Sequence, residues 1–546
     1  MPILTASSIQ KGLTNQLSIL ANSISTPFGR FVFRTRLYFN LEKQRRDLLI
    51  AIMLIVAFLS VVLGTFAIGK MNLGLWVVGG VVAALIGISI IFKPEFGLFV
   101  LVFFVYGNVS DVLEVSFGIP STNKALVALI YVGVLGSRVI LQKRPFVFRA
   151  SEILILMYGV TIVVSLIVSE FQNDAVTLAS DWFKDFAIML LVIQLGSRED
   201  VLKRGMWILV LTAALLSLLS TYQNLTGDFT NEFFGFAKAP VHEIITGVDG
   251  ARVTGPLDDP NFYGLILLLA YPAAIYRLFS DDKKWLKGLA AVCTALIVST
   301  IILTYSRGAF LALVVVSILI VRERKMNPYK IGAIALFMFI VLLPVMPAGF
   351  TDRLSTLGLF TNDKVPVTTE SSFQGRTSEA IVALRMFRDY PLLGVGRGNY
   401  PRLYQTYSRR LGIDHRATER DAHSLYLEVI AETGIIGITL FILIIVVVFR
   451  ELNRATRLAK RIDRDDLITW IAGIRYGLMG YLLGSIFLHG VTIRYLWLIM
   501  GFALVSAVMV TELTYHYNRH RLQFENETSF LDSVSTTPEM VMYPQR

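Results

Sequence analysis

Apolar runs of about 20 residues recur almost evenly between residues 47 and 516. Each is close to the length that an α-helix needs to cross about 30 Å of hydrocarbon. In lipid every backbone polar group must be satisfied within the chain, so such runs fold as helices. The sequence therefore predicts an all-α membrane protein with about fourteen transmembrane helices (about twelve to fourteen). The expected spans lie near 47–68, 73–92, 95–113, 123–141, 152–170, 182–197, 204–222, 261–280, 286–304, 307–323, 329–349, 426–449, 466–488 and 494–516. An apolar content of 54% agrees with this reading.

The basic residues orient the spans. They concentrate in Arg30 to Arg46, Lys143–Arg144, Lys283–Lys284, Arg322 to Lys325 and Arg450 to Arg464. The alternate segments carry only scattered cations: Lys70, Lys124, Lys238, Arg252, Arg307 and Arg494. By the positive-inside rule this predicts both termini in the cytoplasm of a multi-pass inner-membrane protein. The domains expected are a cytoplasmic segment 1–46, helices 1–11 over 47–349 with an outer loop 223–260, a large outer loop 350–424, helices 12–14 over 425–516, and a polar cytoplasmic tail 517–546, expected to be disordered. The net charge of +11 then reads as topogenic, and no nucleic-acid partner is expected. The single cysteine, Cys293, excludes an intrachain disulfide.

Loop 350–424 departs from the pattern, with ten arginines and Lys364 against eight carboxylates. Long loops escape the charge rule, and arginine is the side chain suited to bidentate recognition of phosphate or carboxylate. A loop of this length without structure would be unusual. Residues 377–389 read as an amphipathic helix with Ile381, Leu384 and Phe387 on one stripe, stopped by Pro391 and a turn at Gly394, Gly396 and Gly398.

Several residues in the outer segments could carry chemistry. Arg307, in Tyr305-Ser306-Arg307-Gly308, lies at a span mouth, where it could snorkel to lipid phosphates or hold an anionic ligand. Arg252 could pair with Asp258 or Asp259, or bind the same ligand. Arg376 precedes the loop helix, where backbone N–H groups would reinforce anion binding. His423 opens a span; a helix N-terminus disfavours the imidazolium, so it is a candidate neutral base as well as a structural histidine. Asp258–Asp259 is the nearest approach to a metal motif, and no metal or cofactor is expected. Arg475 lies inside an apolar run, and Lys184–Asp185 can pair with neighbours.

Three motifs in order carry a resemblance: Leu303-Thr-Tyr-Ser-Arg307-Gly-Ala; Gln374-Gly-Arg376 with Pro391-Leu-Leu-Gly-Val-Gly-Arg-Gly-Asn399-Tyr400; and Ala422-His423-Ser424-Leu-Tyr-Leu-Glu428-Val-Ile-Ala-Glu432-Thr-Gly434. The chain resembles the O-antigen ligase and polymerase family of membrane glycosyltransferases over roughly residues 291–448, with a weaker extension to Arg252. The resemblance implies a GT-C-type fold and metal-independent transfer of a glycan from a polyprenyl pyrophosphate to a glycan, lipid or protein hydroxyl on the outer face of the membrane. It implies that Arg307, Arg376 and Arg252 hold the pyrophosphate, that His423 activates the acceptor, and that Ser424, Asn399 and Asn261 support them. Ser424 stands where such proteins often show Asn. A secondary transporter or lipid-linked glycan flippase is the alternative, and it would concentrate ionisable residues at the bilayer midplane in repeated halves.

Overall fold

The computed structural model describes residues 71–136, 148–170, 175–245, 248–280, 283–325, 371–413, 419–488 and 494–535, with 327, 329 and 332 besides. The expected segment 1–46, the span 47–68, nearly all of 329–349, and the loop start 350–370 lie outside these residues. The chain divides into two compact units, Met1–Ser89 and Ile90–Arg546. Of the first, only 71–89 is described, within helix α1 (Met71–Phe92).

The helices of the second unit are α2 (Pro94–Tyr106), α3 (Val109–Phe117), α4 (Thr122–Val134), α5 (Ala150–Val168), α6 (Ala175–Leu195), α7 (Glu199–Thr226), α8 (Pro260–Ser280), α9 (Lys284–Leu303), α10 (Arg307–Glu323), α11 (Ser371–Asp389), α12 (Tyr400–Leu411), α13 (Leu425–Arg461), α14 (Asp465–Gly484) and α15 (Arg494–Ser535). Among the described residues seven helices are long and apolar enough to cross a membrane: α5, α7, α8, α9, α13, α14 and α15. An eighth crossing forms if α2 and α3 count as one span bent by 63°. Asn108 makes that bend, with a left-handed φ of 53° and its side-chain amide donating to the Pro256 carbonyl. The expected span 95–113 is thus a broken one. Among the described residues four other expected spans fall outside the seven: in 73–92 and 123–141 the apolar helices Gly80–Phe92 and Thr122–Val134 are too short, and 182–197 and 307–323 correspond to α6 and α10. Helix α10 has only 17 residues, and α6 carries Asp181, Lys184 and Asp185 in its first half.

The centre of the bundle is the pair α8 and α14. The apolar stretch of α8 is 83% buried, against 28% for α13, which sits at the rim. Glycines on α14 permit the close approach: a Cβ at Gly477 would lie 2.5 Å from the Leu269 carbonyl oxygen, and one at Gly473 would lie 3.0 Å from the Ala273 backbone. Without a hydrophobic force between helices in lipid, small residues at such contacts provide the van der Waals packing.

Arg475 on α14 does not face the bundle alone: it pairs with Glu323 at the end of α10 and lies 3.4 Å from Asn453. Lys184 pairs with Asp181 at 2.7 Å, and Asp185 is buried. At the bundle end where α7 and α14 begin, Arg464 and Lys203 bridge Glu199 and Asp466.

The described residues are mostly helical, as an all-α membrane protein requires, and loop 223–260 adds one small antiparallel hairpin, β1 (Val241–Ile245) with β2 (Val248–Ala251). Two expectations are corrected. The tail does not lose structure at 517, because α15 continues to Ser535. The stripe assigned to the loop helix faces outward: Ile381 and Leu384 are exposed, whereas Val382, Ala383 and Met386 are fully buried. Both sets have helical spacing, so periodicity alone could not choose between them.

Candidate active site

Two interrupted helices frame the site. The first break separates α9 from α10. Tyr305 takes a left-handed φ of 54° and ends α9, which leaves carbonyls at the helix C-terminus without intrahelical donors. Arg252 meets one of them, donating from Nε (3.0 Å) and Nη2 (2.8 Å) to the Thr304 oxygen. Nη2 also lies 3.3 Å from Asn261 Oδ1. The guanidinium is buried, 5% exposed, where the negative end of the helix dipole favours a cation. The alternative pairing of Arg252 with Asp258 or Asp259 is not found. Asp258 accepts from Lys238 at 2.9 Å, and Asp259 Oδ1 accepts the Asn261 N–H at the start of α8. Beyond the break, Ser306 caps α10 by accepting the Ala309 N–H, and Arg307 is the first helical residue.

The second break lies inside α13 at Gly434 (φ 62°, ψ −161°). The glycine turn after α11 enters it. Val395 and Gly396 donate to the carbonyls of Ala431 (2.9 Å) and Glu432 (3.0 Å). Ile435 and Ile436 donate to Pro391 (2.8 Å) and Leu392 (3.4 Å). The approach demands glycine on both sides: a Cβ at Gly434 would lie 2.4 Å from the Leu392 backbone, and one at Gly394 2.3 Å from that of Glu432. Asn399 secures the turn, its amide donating to Ser169 Oγ (2.9 Å) and the Val395 carbonyl (3.0 Å). Arg397 in the same turn is buried, and its Nε and Nη1 lack a hydrogen-bond partner among the described residues.

The loop is a folded unit. Val382, Ala383 and Met386 of α11 pack with Tyr400, Leu403, Tyr404 and Tyr407 of α12 and with Ala422 and Ala431. Two hydroxyls fix the helices polarly: Tyr400 Oη donates to the Glu379 carbonyl (2.7 Å), and Tyr404 Oη lies 2.8 Å from Ser378 Oγ.

This core aims the fully buried carboxylate of Glu379 at His423. Oε1 accepts from Arg420 Nε at 2.6 Å, and Oε2 lies 3.0 Å from His423 Nδ1. The Asp421 carbonyl oxygen lies 3.1 Å from the same nitrogen. With two acceptors there, the neutral ring carries its proton on Nδ1 and keeps the Nε2 lone pair, an assignment made from these partners. His423 itself has a left-handed φ of 42°. Such backbone in a residue with a Cβ persists only where the surroundings hold it, and it clusters at functional sites.

The helix-dipole expectation for His423 is overturned. Burial pulls the imidazole pKa down, but the hydrogen bond and charge of Glu379 outweigh it, so the pKa lies above the ordinary histidine value. The positive field of Arg376 opposes that rise. Arg376 is not at a helix N-terminus, because α11 begins at Ser371. Ser424 occupies the N-cap position of α13 with an extended backbone, but its side chain makes no capping bond.

Arg307 comes to the same end of the bundle through the turn after α14. A Cβ at Gly308 would lie 3.3 Å from Phe487, and the Leu425 N–H donates to both Ser485 (3.0 Å) and Leu488 (2.8 Å) carbonyls. Segment 485–488 thus borders both Gly308, next to Arg307, and Leu425, two residues after His423. Among the described residues no cluster of three or more His, Cys, Asp or Glu is arranged to hold a metal ion.

The sequence reading omitted Glu379 and Arg420. A signal existed: Glu379 is one turn from Arg376 on the same helix face, and it continues the buried line of Val382, Ala383 and Met386.

Residues 292–442 match the family model described as O-antigen ligase. The match contains Arg307, Arg376, Asn399, His423 and Ser424 with both helix breaks, and leaves out Arg252 and Asn261. No curated protein matches the chain. The chain thus carries an O-antigen ligase domain over residues 292–442, which supports its placement among the membrane proteins of the O-antigen ligase and polymerase family.

Proposed function

We propose that the protein is an inverting, metal-independent glycosyltransferase of the outer face of the bacterial inner membrane. It moves a glycan from polyprenyl pyrophosphate to an acceptor hydroxyl, in a GT-C-type architecture of about fourteen spans with both termini in the cytoplasm. The observation that carries this reading is the Glu379–His423 pair, 3.0 Å apart, set among arginines within the matched segment.

His423 Nε2 takes the proton of the acceptor hydroxyl while Glu379 holds Nδ1–H and stabilises the imidazolium that forms. The freed oxygen attacks the anomeric carbon, and the bond to the pyrophosphate oxygen breaks with its electron pair leaving on the pyrophosphate. Fixed guanidiniums oppose that growing charge where water is excluded. Arg307 and Arg376 fill this role. Arg252, bound to Thr304 and Asn261, braces the break that presents Arg307. Ser424 and Asn399 position the backbone on either side of the dyad. One displacement inverts the anomeric centre.

The test is reconstitution of the full chain with lipid-linked glycan and a hydroxyl acceptor, comparing wild type with His423→Ala. Loss of a general base lowers turnover by about 10²–10⁴-fold. Unchanged turnover, or a product that keeps the donor's anomeric configuration, rejects the mechanism.

A further inference from the structure

A concavity of about 500 Å³ opens beside the loop unit, between the end of α5 and helices α11 and α12. It lies in the range of small-ligand clefts, about 300–1,000 Å³. His423, Glu379 and Arg376 do not line it. Its walls are Val168 to Glu170, Asp389 to Val395, and one face of α12 through Leu403, Tyr407 and Arg410.

Its chemistry is specific. Tyr390 Oη donates to Glu170 Oε1 at 3.3 Å, and burial together with the neighbouring Asp389 carboxylate pushes the Tyr407 phenol up to about 12. Arg410 lies over the Tyr407 ring, 6.0 Å from its centre, and Asp389 is also 3.5 Å from Arg385. An ionised carboxylate accepts at about four lone-pair positions, so one tyrosine leaves capacity for further hydroxyl donors. Tyrosine rings offer an apolar face with a polar rim. The cleft lining carries two carboxylates and a single guanidinium, not the cluster of cations that would grip a pyrophosphate. Rings for stacking beside carboxylates for hydroxyls match a sugar, whose C–H face is apolar and whose edge is all hydroxyl.

The placement fits. Helix α11 runs from Glu379 at the dyad to Asp389 at the cleft, ten residues further on, or about 15 Å at helical rise. Helix α12 makes a parallel link from Tyr400, bonded to Glu379, to Tyr407 and Arg410. Both helices lead away from the bond being made, along the path of a chain of sugars.

We infer that this cleft is a distal glycan subsite: it binds uncharged sugar units several residues from the reacting bond and gives the enzyme its preference for one oligosaccharide. The inference rests on the proposed glycosyl transfer, and its test separates the two.

The probe is lipid-free oligosaccharide released by mild acid from the host cell's own surface polysaccharide, titrated calorimetrically into the full chain in nanodiscs. Tyr390→Ala and Glu170→Gln alter exposed side chains, and thermal unfolding verifies the fold of each. Each variant is expected to weaken binding about tenfold, the effect of losing one hydrogen bond to a charged group. His423→Ala is expected to keep wild-type affinity. Equal binding by wild type and both cleft variants, or no binding by wild type, overturns the subsite. So does a loss confined to undecaprenyl phosphate in vesicles, which would make the cleft a lipid site.

In the transfer assay, a raised KM for the lipid-linked donor assigns the subsite to the donor glycan, and a raised KM for the acceptor assigns it to the acceptor. Either result supports the inference, and no change in either KM overturns it. Full transfer by His423→Ala would instead remove the catalytic reading while leaving the binding result standing.

Discussion

The two helix breaks solve one problem in different ways. At Tyr305 the exposed carbonyl of Thr304 is met by a side chain, the guanidinium of Arg252. At Gly434 the freed groups are met by backbone, four hydrogen bonds exchanged with residues 391–396. The first break is local and presents Arg307. The second joins a distant loop to a span and so places Glu379 and His423. In the proposed reaction the first is the leaving-group side and the second is the base side. A side-chain brace can be removed and leave the helices in place, whereas a backbone latch fails together with the unit it holds.

Gly434→Ala is expected to give the largest effect. The added Cβ would strike the Leu392 backbone, and the left-handed φ disfavours any side chain. Destabilisation beyond about 3 kcal/mol is expected, with activity lost and residues 371–424 opened to limited proteolysis. A protected loop in that variant would show the latch to be dispensable. Next is Arg307→Lys, which keeps the charge but not the fork geometry. A fall of about 10²-fold in kcat/KM is expected, equal at every pH.

Glu379→Gln attacks the other side and separates the two. Glu379 raises the His423 pKa, so without its charge the ring stays neutral to lower pH. The acid limb of the pH–rate profile moves to lower pH, and the rate falls about tenfold through loss of ring orientation. An acid limb that stays in place would detach Glu379 from the base. Arg252→Ala is expected to have the smallest effect: about 1–3 kcal/mol from the unsatisfied Thr304 carbonyl, with the pH profile unmoved. A collapse of activity at unchanged stability would return Arg252 to the ligand.

Much of this was legible in the sequence because it depends on residue type and short spacing. The apolar runs located α5, α7, α8, α9 and α14 close to their observed bounds, and α13 at its start, although that helix runs on to Arg461. The motifs around Arg307, Arg376 and His423 lie within the matched segment. The misreadings share one cause. Ile381 and Leu384 have the same helical spacing as Val382 and Met386, and only packing against α12 decides which set is buried. The dipole argument for His423 considered its own helix and overlooked a carboxylate from another.

The order of amino acids was enough to require membrane helices with an arginine-rich loop between them, because hydrocarbon admits only segments of that length and composition. It also settled which residue types were present for the proposed phosphate recognition and proton transfer. It took the folded chain to make Glu379, 44 positions before His423, that histidine's partner. Folding likewise committed Arg252 to a carbonyl and brought two glycines 40 residues apart to one latch. Contacts between residues so distant in the chain depend on which helices pack together, and local pattern carries no record of that choice.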